Sequence, residues 1–146
     1  MKSLDEETLQ KLRSYADSMH FLESSGEKIA DFKIYMNKKK LVSIIGTAAF
    51  KELEETFSTS YDEIILRRCS SHGKFINFYT DASLKTMQVA INGDDEYVGG
   101  RLVYATNEGL EAPERPAGTV TIHHDDIVHG VSLFESGTRY ELFFLK

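Results

Sequence analysis

A chain of 146 residues, 41% hydrophobic and 27% charged, has the composition of one folded domain rather than of a disordered segment. The formal net charge of −6 argues against nucleic acid as a partner, because phosphate binding needs a basic face. The single cysteine excludes an internal disulfide, and no stretch approaches the roughly 18 apolar residues of a membrane span. We therefore expect a soluble, cytoplasmic protein that has neither nucleic acid nor a membrane as a partner.

The N-terminal part of the chain carries two helical patterns. Apolar residues recur at helical spacing through residues 4–20, and Ser3 begins a capping-box sequence in front of them. The same spacing returns in residues 47–57, where the apolar side chains share one face. Between these helices, residues 29–36 and 40–45 are predicted as short strands around a turn of lysines.

From residue 62 onward the chain changes to short β-rich runs separated by turn residues. Regular strand spacing of this kind is typical of a sandwich, a barrel or a jelly roll. We predict a mainly β protein of one domain, in which residues 1–61 support a strand core of residues 62–146. The predicted strands are residues 63–67, 74–78, 86–91, 100–105, 118–123, 129–134 and 139–145.

Four side chains that could take part in binding or catalysis lie near predicted strand ends. Tyr79 and Asp81 are two residues apart, a spacing at which strand side chains point the same way. His129 begins a later strand, and Arg139 begins the last strand ten residues further on.

These residues lie within segments that resemble a known family, the 2-oxoglutarate- and iron(II)-dependent oxygenases, in particular the branch with the prolyl 4-hydroxylases. The resemblance covers about residues 62–146. It implies a double-stranded β-helix (jelly roll) braced by the two helices. The segments that carry it are residues 77–81, 85–92, 97–104, 129–131 and 136–142.

The resemblance implies an iron centre and a cosubstrate. In this family an H-x-D pair and a distal histidine hold Fe(II), and two histidines with one carboxylate leave coordination positions open for 2-oxoglutarate and oxygen. By similarity, Asp81 is the carboxylate ligand and His129 is the distal histidine.

Further residues are assigned to the cosubstrate and the substrate. Arg139 is expected to bind the far carboxylate of 2-oxoglutarate, since a guanidinium pairs bidentately with a carboxylate. Thr86 and Gln88 are expected to line the cosubstrate pocket, and Arg101 to face the substrate. Glu141 departs from the family pattern, because a glutamate that points inward there would repel a dicarboxylate.

The family's first iron-ligating histidine is replaced by Tyr79. Three outcomes are open for this position. The tyrosine ligates iron as a phenolate; or Asp81, His129 and water hold the metal weakly; or the site holds no iron. Tyr79 is our assigned third ligand, and packing within the strand region is the alternative for its side chain.

A second H-x-D string occurs at His124 to Asp126, close to His129. His124, Asp126 and His129 are an alternative set of metal ligands, but the two aspartates are better explained as a turn between two strands. We then expect His123 and His124 to face solvent and the mouth of the pocket.

Three functions are compatible with these expectations. The first is an oxygenase that couples decarboxylation of 2-oxoglutarate to hydroxylation of an unactivated C–H bond in a peptide, a protein or a small metabolite. The second is a non-catalytic or metal-altered jelly-roll module that binds a small anion or a peptide, which Tyr79 and Glu141 favour. The third is a structural interaction domain that shares only the fold.

Overall fold

Three α-helices and eleven strands make up the part of the chain that the structure, a computed structural model, describes, namely residues 4–23 and 29–146. Ser3, the predicted capping residue, lies outside these residues. In these ranges no helix is both long and apolar enough to cross a membrane. The helices are α1 (Glu6–Glu23), α2 (Lys38–Ile45) and α3 (Thr47–Phe57), and a short 3-10 helix covers Asp94–Glu96. The strands are β1 (Asp31–Met36), β2 (Glu63–Ser70), β3 (Ile76–Tyr79), β4 (Lys85–Ala90), β5 (Val98–Gly99), β6 (Leu102–Thr106), β7 (Gly109–Glu111), β8 (Val120–His124), β9 (His129–Val131), β10 (Phe134–Ser136) and β11 (Thr138–Leu145).

The helix α2 corrects the sequence prediction, because residues 40–45 are not a strand. The side chain of Asn37 accepts a hydrogen bond from the Lys40 backbone N–H at 2.9 Å and thereby caps the first turn. Leu41 and Ile45, four residues apart, are both buried on one face of the helix. The predicted helices over residues 4–20 and 47–57 are present as α1 and α3, so three helices, not two, precede the main strand region.

The strands form antiparallel sheets, and the predicted mainly β class is confirmed. One sheet has five strands in the order β1-β2-β11-β4-β8, and another has four in the order β3-β9-β6-β7. The short strands β10 and β5 pair with each other. The predicted strand over residues 129–134 is divided between β9 and β10, while β5 and β7 add two strands that the sequence pattern did not indicate.

The five-stranded sheet is buried on both faces, and strand alternation gives the two faces opposite character. On β11, Tyr140, Leu142 and Phe144 point to the helices, whereas Arg139 and Glu141 point to a cavity on the other side. The same alternation holds on β2 and β4. The helix-facing core comprises mainly Leu9, Leu12, Leu41, Phe50, Leu53, Phe57, Ile64, Leu66, Met87, Val89, Leu142 and Phe144. The helices therefore anchor one face of the sheet and leave the other face free to build a polar site.

Gly99 allows the backbone of β5 to lie close to the backbone of Leu133, the residue just before β10. Its φ is +70°, and a Cβ there would lie 1.8 Å from the carbonyl oxygen of Leu133. Gly73 has a similar φ of +65° but open space around it, so it is a matched control.

We expect Gly73→Ala to cost about 1–2 kcal/mol of stability from backbone conformation alone. Gly99→Ala should cost at least about 1 kcal/mol more, because the backbone must move. Urea denaturation measures both; equal losses would contradict the close approach at Gly99.

Candidate functional site

A cavity of roughly 470 Å³ lies between the polar face of the five-stranded sheet and the four-stranded sheet. Its walls include residues of β2, β4, β8 and β11 on one side and of β3, β6 and β9 on the other. This volume is in the range of small-molecule sites. Six of the sequence-predicted site residues line it, namely Tyr79, Asp81, Thr86, Gln88, His129 and Arg139.

The carboxylate of Asp81, two residues beyond β3, connects the two sheets. Its Oδ2 accepts a hydrogen bond from the Thr86 hydroxyl at 2.7 Å and lies 2.6 Å from His123 Nε2. Its Oδ1 lies 3.2 Å from His129 Nε2. Thr86 and His123 are cross-strand partners in the five-stranded sheet, whereas His129 belongs to the four-stranded sheet. One carboxylate is thus held between groups from both sheets.

The imidazole of His129 is oriented by the backbone. Its Nδ1 lies 3.0 Å from the carbonyl oxygen of Ile127, and because a carbonyl only accepts hydrogen bonds, Nδ1 carries the hydrogen. Nε2 then faces Asp81 Oδ1 at 3.2 Å, a contact that a cation on Nε2, either a proton or a metal ion, would stabilise. A backbone carbonyl that accepts from the other ring nitrogen orients metal-binding histidines in the same way.

The imidazole of His123 completes the cluster from β8. Its side chain is 6% exposed, and its buried Nδ1 has no hydrogen-bond partner among the described residues. Burial lowers the pKa of His123, although the hydrogen bond with the Asp81 carboxylate opposes this shift. The ring is therefore neutral near pH 7, and the neutral imidazole is the form that binds a metal ion.

Asp81, His123 and His129 together fit a divalent transition metal. Each offers one donor atom, and these atoms all lie within 4.8 Å of one another, a span that a single ion can bridge. Two imidazoles and one carboxylate form the ligand set that leaves coordination positions open in non-haem iron(II) enzymes. The contact between His129 Nε2 and Asp81 Oδ1 is the local feature that a bound ion would stabilise.

The side chain of Tyr79 lies beside this cluster. Tyr79 is the cross-strand partner of His129, and the two ring centroids are 4.5 Å apart. Burial raises the pKa of the Tyr79 phenol, and the Asp81 carboxylate adds to the rise. The phenol is therefore neutral near pH 7 before any metal binds. The structure brings Tyr79 to the site as a ring against His129, and its role as an iron ligand stays a prediction.

Arg139 reaches the cavity but is already paired. Its guanidinium forms a buried ion pair with Glu141, and its Nη1 donates to the carbonyl oxygen of Gly100. Arg139 and Glu141 are only 4% and 2% exposed. The glutamate that the sequence marked as a departure therefore points inward and compensates the arginine expected to bind the cosubstrate.

The structure places two other predicted groups away from the cavity. The Arg101 Nη2 donates to the carbonyl oxygens of Ala112 and Pro113, both at 3.1 Å, so this guanidinium is engaged in the loop. His124 is exposed, and Asp126 lies in the turn between β8 and β9, so neither joins His129. The interpretation of the aspartates as a turn agrees with the structure.

Two cavity residues were missing from the sequence-based site. His123 was expected at the mouth or in solvent, yet strand alternation turns it inward and His124 outward. The cross-strand pairing of His123 with Thr86 is the feature that could have placed His123 in the cavity. That pairing depends on a strand register that the sequence does not give. Arg115 also lines the cavity and is 3% exposed. Arg115 lies in a loop with two prolines, and no periodic pattern there predicts which way its side chain points.

Solved structures of similar fold cover nearly the whole chain. A prolyl-4-hydroxylase from Pseudomonas putida is 11% identical, with a TM-score of 0.66, over 99% of this chain and 89% of that one. HygX from Streptomyces hygroscopicus, solved with nickel and 2-oxoglutarate, is 9% identical, with a TM-score of 0.73, over 97% and 78%. A prolyl hydroxylase from Trichoplax adhaerens, in complex with a hypoxia inducible factor peptide fragment, is 9% identical, with a TM-score of 0.71, over 94% and 77%.

The chain shares the fold of these two prolyl hydroxylases and of HygX. No protein-family model matches the chain, and no curated protein matches its sequence.

The metal site can be tested with neighbouring histidines. We expect His123→Ala to weaken Co²⁺ binding by about 100-fold or more, since even the loss of an outer-shell partner costs 10–100-fold. His124→Ala, which removes the exposed ring next to it, should leave the affinity unchanged. Visible absorption of bound Co²⁺ and the metal-dependent rise in melting temperature measure both variants. Equal losses in the two variants would contradict the assignment of His123.

Proposed function

We propose that this protein is an iron(II)- and 2-oxoglutarate-dependent oxygenase that hydroxylates an unactivated C–H bond. The observation that carries the proposal is the cluster of Asp81, His123 and His129 in a cavity between two sheets. Its ligand types are those of a non-haem iron(II) centre with open positions. The shared fold with such oxygenases supports the same conclusion.

The chain path supports a double-stranded β-helix as the scaffold of this site. The chain passes repeatedly between the two larger sheets: β2, β4, β8 and β11 belong to the five-stranded sheet, while β3, β6 with β7, and β9 belong to the other. Antiparallel sheets wound in this way form a jelly roll with a site between them. The cavity lined by both sheets is where such a fold holds a small ligand.

The proposed reaction is balanced by the cosubstrate. Dioxygen, 2-oxoglutarate and R–H give R–OH, succinate and CO₂; one oxygen atom enters the C–H bond and the other enters succinate. Bound iron would supply the activation of oxygen at its open positions. Asp81 contributes the negative charge for the ion, Thr86 orients that carboxylate, and the backbone carbonyl of Ile127 holds the ring of His129. Thr86 and Gln88 on β4 are our proposed wall for the cosubstrate.

Two observations support a proposal for the substrate class: the nature of the similar structures and the surface around the site. Prolyl hydroxylases are among the similar structures, and one of them holds a peptide fragment. In this chain, Tyr79 at the end of β3 lines the cavity and is 43% exposed. We propose a peptide or protein side chain as the substrate, with a small metabolite as the alternative.

A metal-altered or non-catalytic binding module is the second candidate function. The buried pair of Arg139 and Glu141 favours it, because the arginine expected to bind 2-oxoglutarate is already neutralised by a neighbour. Such a module would still bind a small anion or a peptide in the cavity.

Turnover of 2-oxoglutarate distinguishes the two functions. Protein loaded with Fe²⁺ without oxygen, and then given oxygen, 2-oxoglutarate and a panel of peptides and metabolites, should form succinate and CO₂ in equal amounts. His123→Ala should lose this activity with its metal, whereas His124→Ala should retain it. Formation of no succinate by metal-loaded protein with any member of the panel would favour the binding module instead.

A further inference from the structure

The cavity contains more cationic than anionic side chains. Lys33, Arg67, Arg115 and Arg139 line it, against the carboxylates of Asp81 and Glu141. Once a divalent ion is added, the excess of positive charge is larger still. A ligand with negative charge is therefore favoured, and the question is which cation remains free to bind it.

Three of the four cations have a counter-ion or are solvated. Arg67 donates from Nε and Nη2 to the two carboxylate oxygens of Asp31 at 2.7 and 2.8 Å, a bidentate pair. Arg139 forms a buried ion pair with Glu141, which compensates its charge although its Nε makes no hydrogen bond among the described residues. Lys33 is exposed, so water solvates its ammonium group.

Arg115 differs from these three because its charge has neither a counter-ion nor access to solvent. Its side chain is 3% exposed, and its Nε and Nη2 atoms are buried with no hydrogen-bond partner in the part of the chain that the structure describes. Within residues 4–23 and 29–146, its guanidinium has no carboxylate at ion-pair distance. An arginine does not lose its charge in a protein, so a buried and unpaired guanidinium is costly unless a ligand supplies the partner.

The loop before β8 holds Arg115 in place through its backbone. Its N–H donates to Asp94 Oδ2 at 2.9 Å, and its carbonyl oxygen accepts from the Asp94 N–H at 3.2 Å. The Asp94 carboxylate also accepts from the Tyr97 hydroxyl at 2.7 Å, so it is occupied with groups other than the guanidinium. A side chain whose backbone is fixed in this way is pre-organised for a ligand.

Arg115 lines the same cavity as His123 and His129. A small molecule in the cavity can therefore approach both the proposed metal ligands and Arg115.

We propose that Arg115, not Arg139, binds the second carboxylate of a 2-oxo diacid cosubstrate. This assignment rests on the proposed function, since it places the 2-oxo acid end of the same molecule at the metal. The carboxylate would supply the acceptors that Arg115 Nε and Nη2 lack. Arg139 remains compensated by Glu141 and acts as part of the cavity wall.

The test compares two 2-oxo acids of equal length in oxygen-free, Mn²⁺-loaded protein. 2-Oxoglutarate has a second carboxylate, and 2-oxovalerate has a methyl group in its place. Calorimetric titration of the wild-type protein should show a preference for 2-oxoglutarate of about tenfold to a hundredfold, the range for a hydrogen bond to a charged group. Arg115→Gln should remove this preference by weakening 2-oxoglutarate binding and leaving 2-oxovalerate binding unchanged. Lys33→Gln, which removes an exposed charge at the same cavity, should preserve the preference.

Other outcomes would overturn the assignment. The assignment would be wrong if the preference for 2-oxoglutarate survived Arg115→Gln and disappeared in the double variant Arg139→Gln/Glu141→Gln, which removes both charges of that pair together. Equal weakening of both acids, or a lower melting temperature of ligand-free Arg115→Gln, would indicate a structural role, because loss of an unpaired buried charge should not destabilise the fold. Failure of the wild-type protein to bind Mn²⁺ would instead overturn the proposed function.

Discussion

The candidate site depends on one partly buried carboxylate that faces two imidazoles. Asp81 contacts Thr86 and His123 from the five-stranded sheet and His129 from the four-stranded sheet, so its position fixes how the two sheets meet at the cavity. The Ile127 carbonyl fixes a hydrogen of His129 on Nδ1, which leaves Nε2 facing a carboxylate oxygen. A cation on Nε2, either a proton or a metal ion, stabilises this contact, and the proposed metal site rests on it.

Strand alternation on the five-stranded sheet places charged side chains in the cavity beside apolar ones. The helices cover the face with Tyr140, Leu142 and Phe144, so the alternate positions on β11 place Arg139 and Glu141 in the cavity. Buried charges require partners, and most of these groups find one within the protein. Arg115 does not, and this difference separates a charge that supports the wall from one that is available to a ligand.

Much of the fold was predictable because the relevant signals are local. Apolar spacing predicted α1 and α3, and turn residues between β-rich runs predicted most strands of the two larger sheets. The prediction failed at residues 40–45, where a side-chain cap from Asn37 outweighs a strand-like composition. In the candidate site, Asp81 and His129 lie close together, and their role as metal ligands stays a prediction; His123, which lies with them, was not among the predicted ligands. Its inward direction follows from the pairing of β8 with β4, and strand pairing between distant segments is not encoded in any local pattern. For the same reason, the sequence could not show that Glu141 pairs with Arg139 or that Arg115 points into the cavity.

The central claim is that His123, rather than Tyr79, completes the metal site with Asp81 and His129. A crystal structure of the Mn²⁺-loaded protein, with an anomalous difference map at the manganese absorption edge, tests it most directly. The account predicts one strong peak in the cavity, bonded to Asp81, His123 Nε2 and His129 Nε2, with the Tyr79 ring remaining against His129. A peak bonded to the Tyr79 oxygen with His123 displaced, or a cavity without a peak at saturating Mn²⁺, would contradict it.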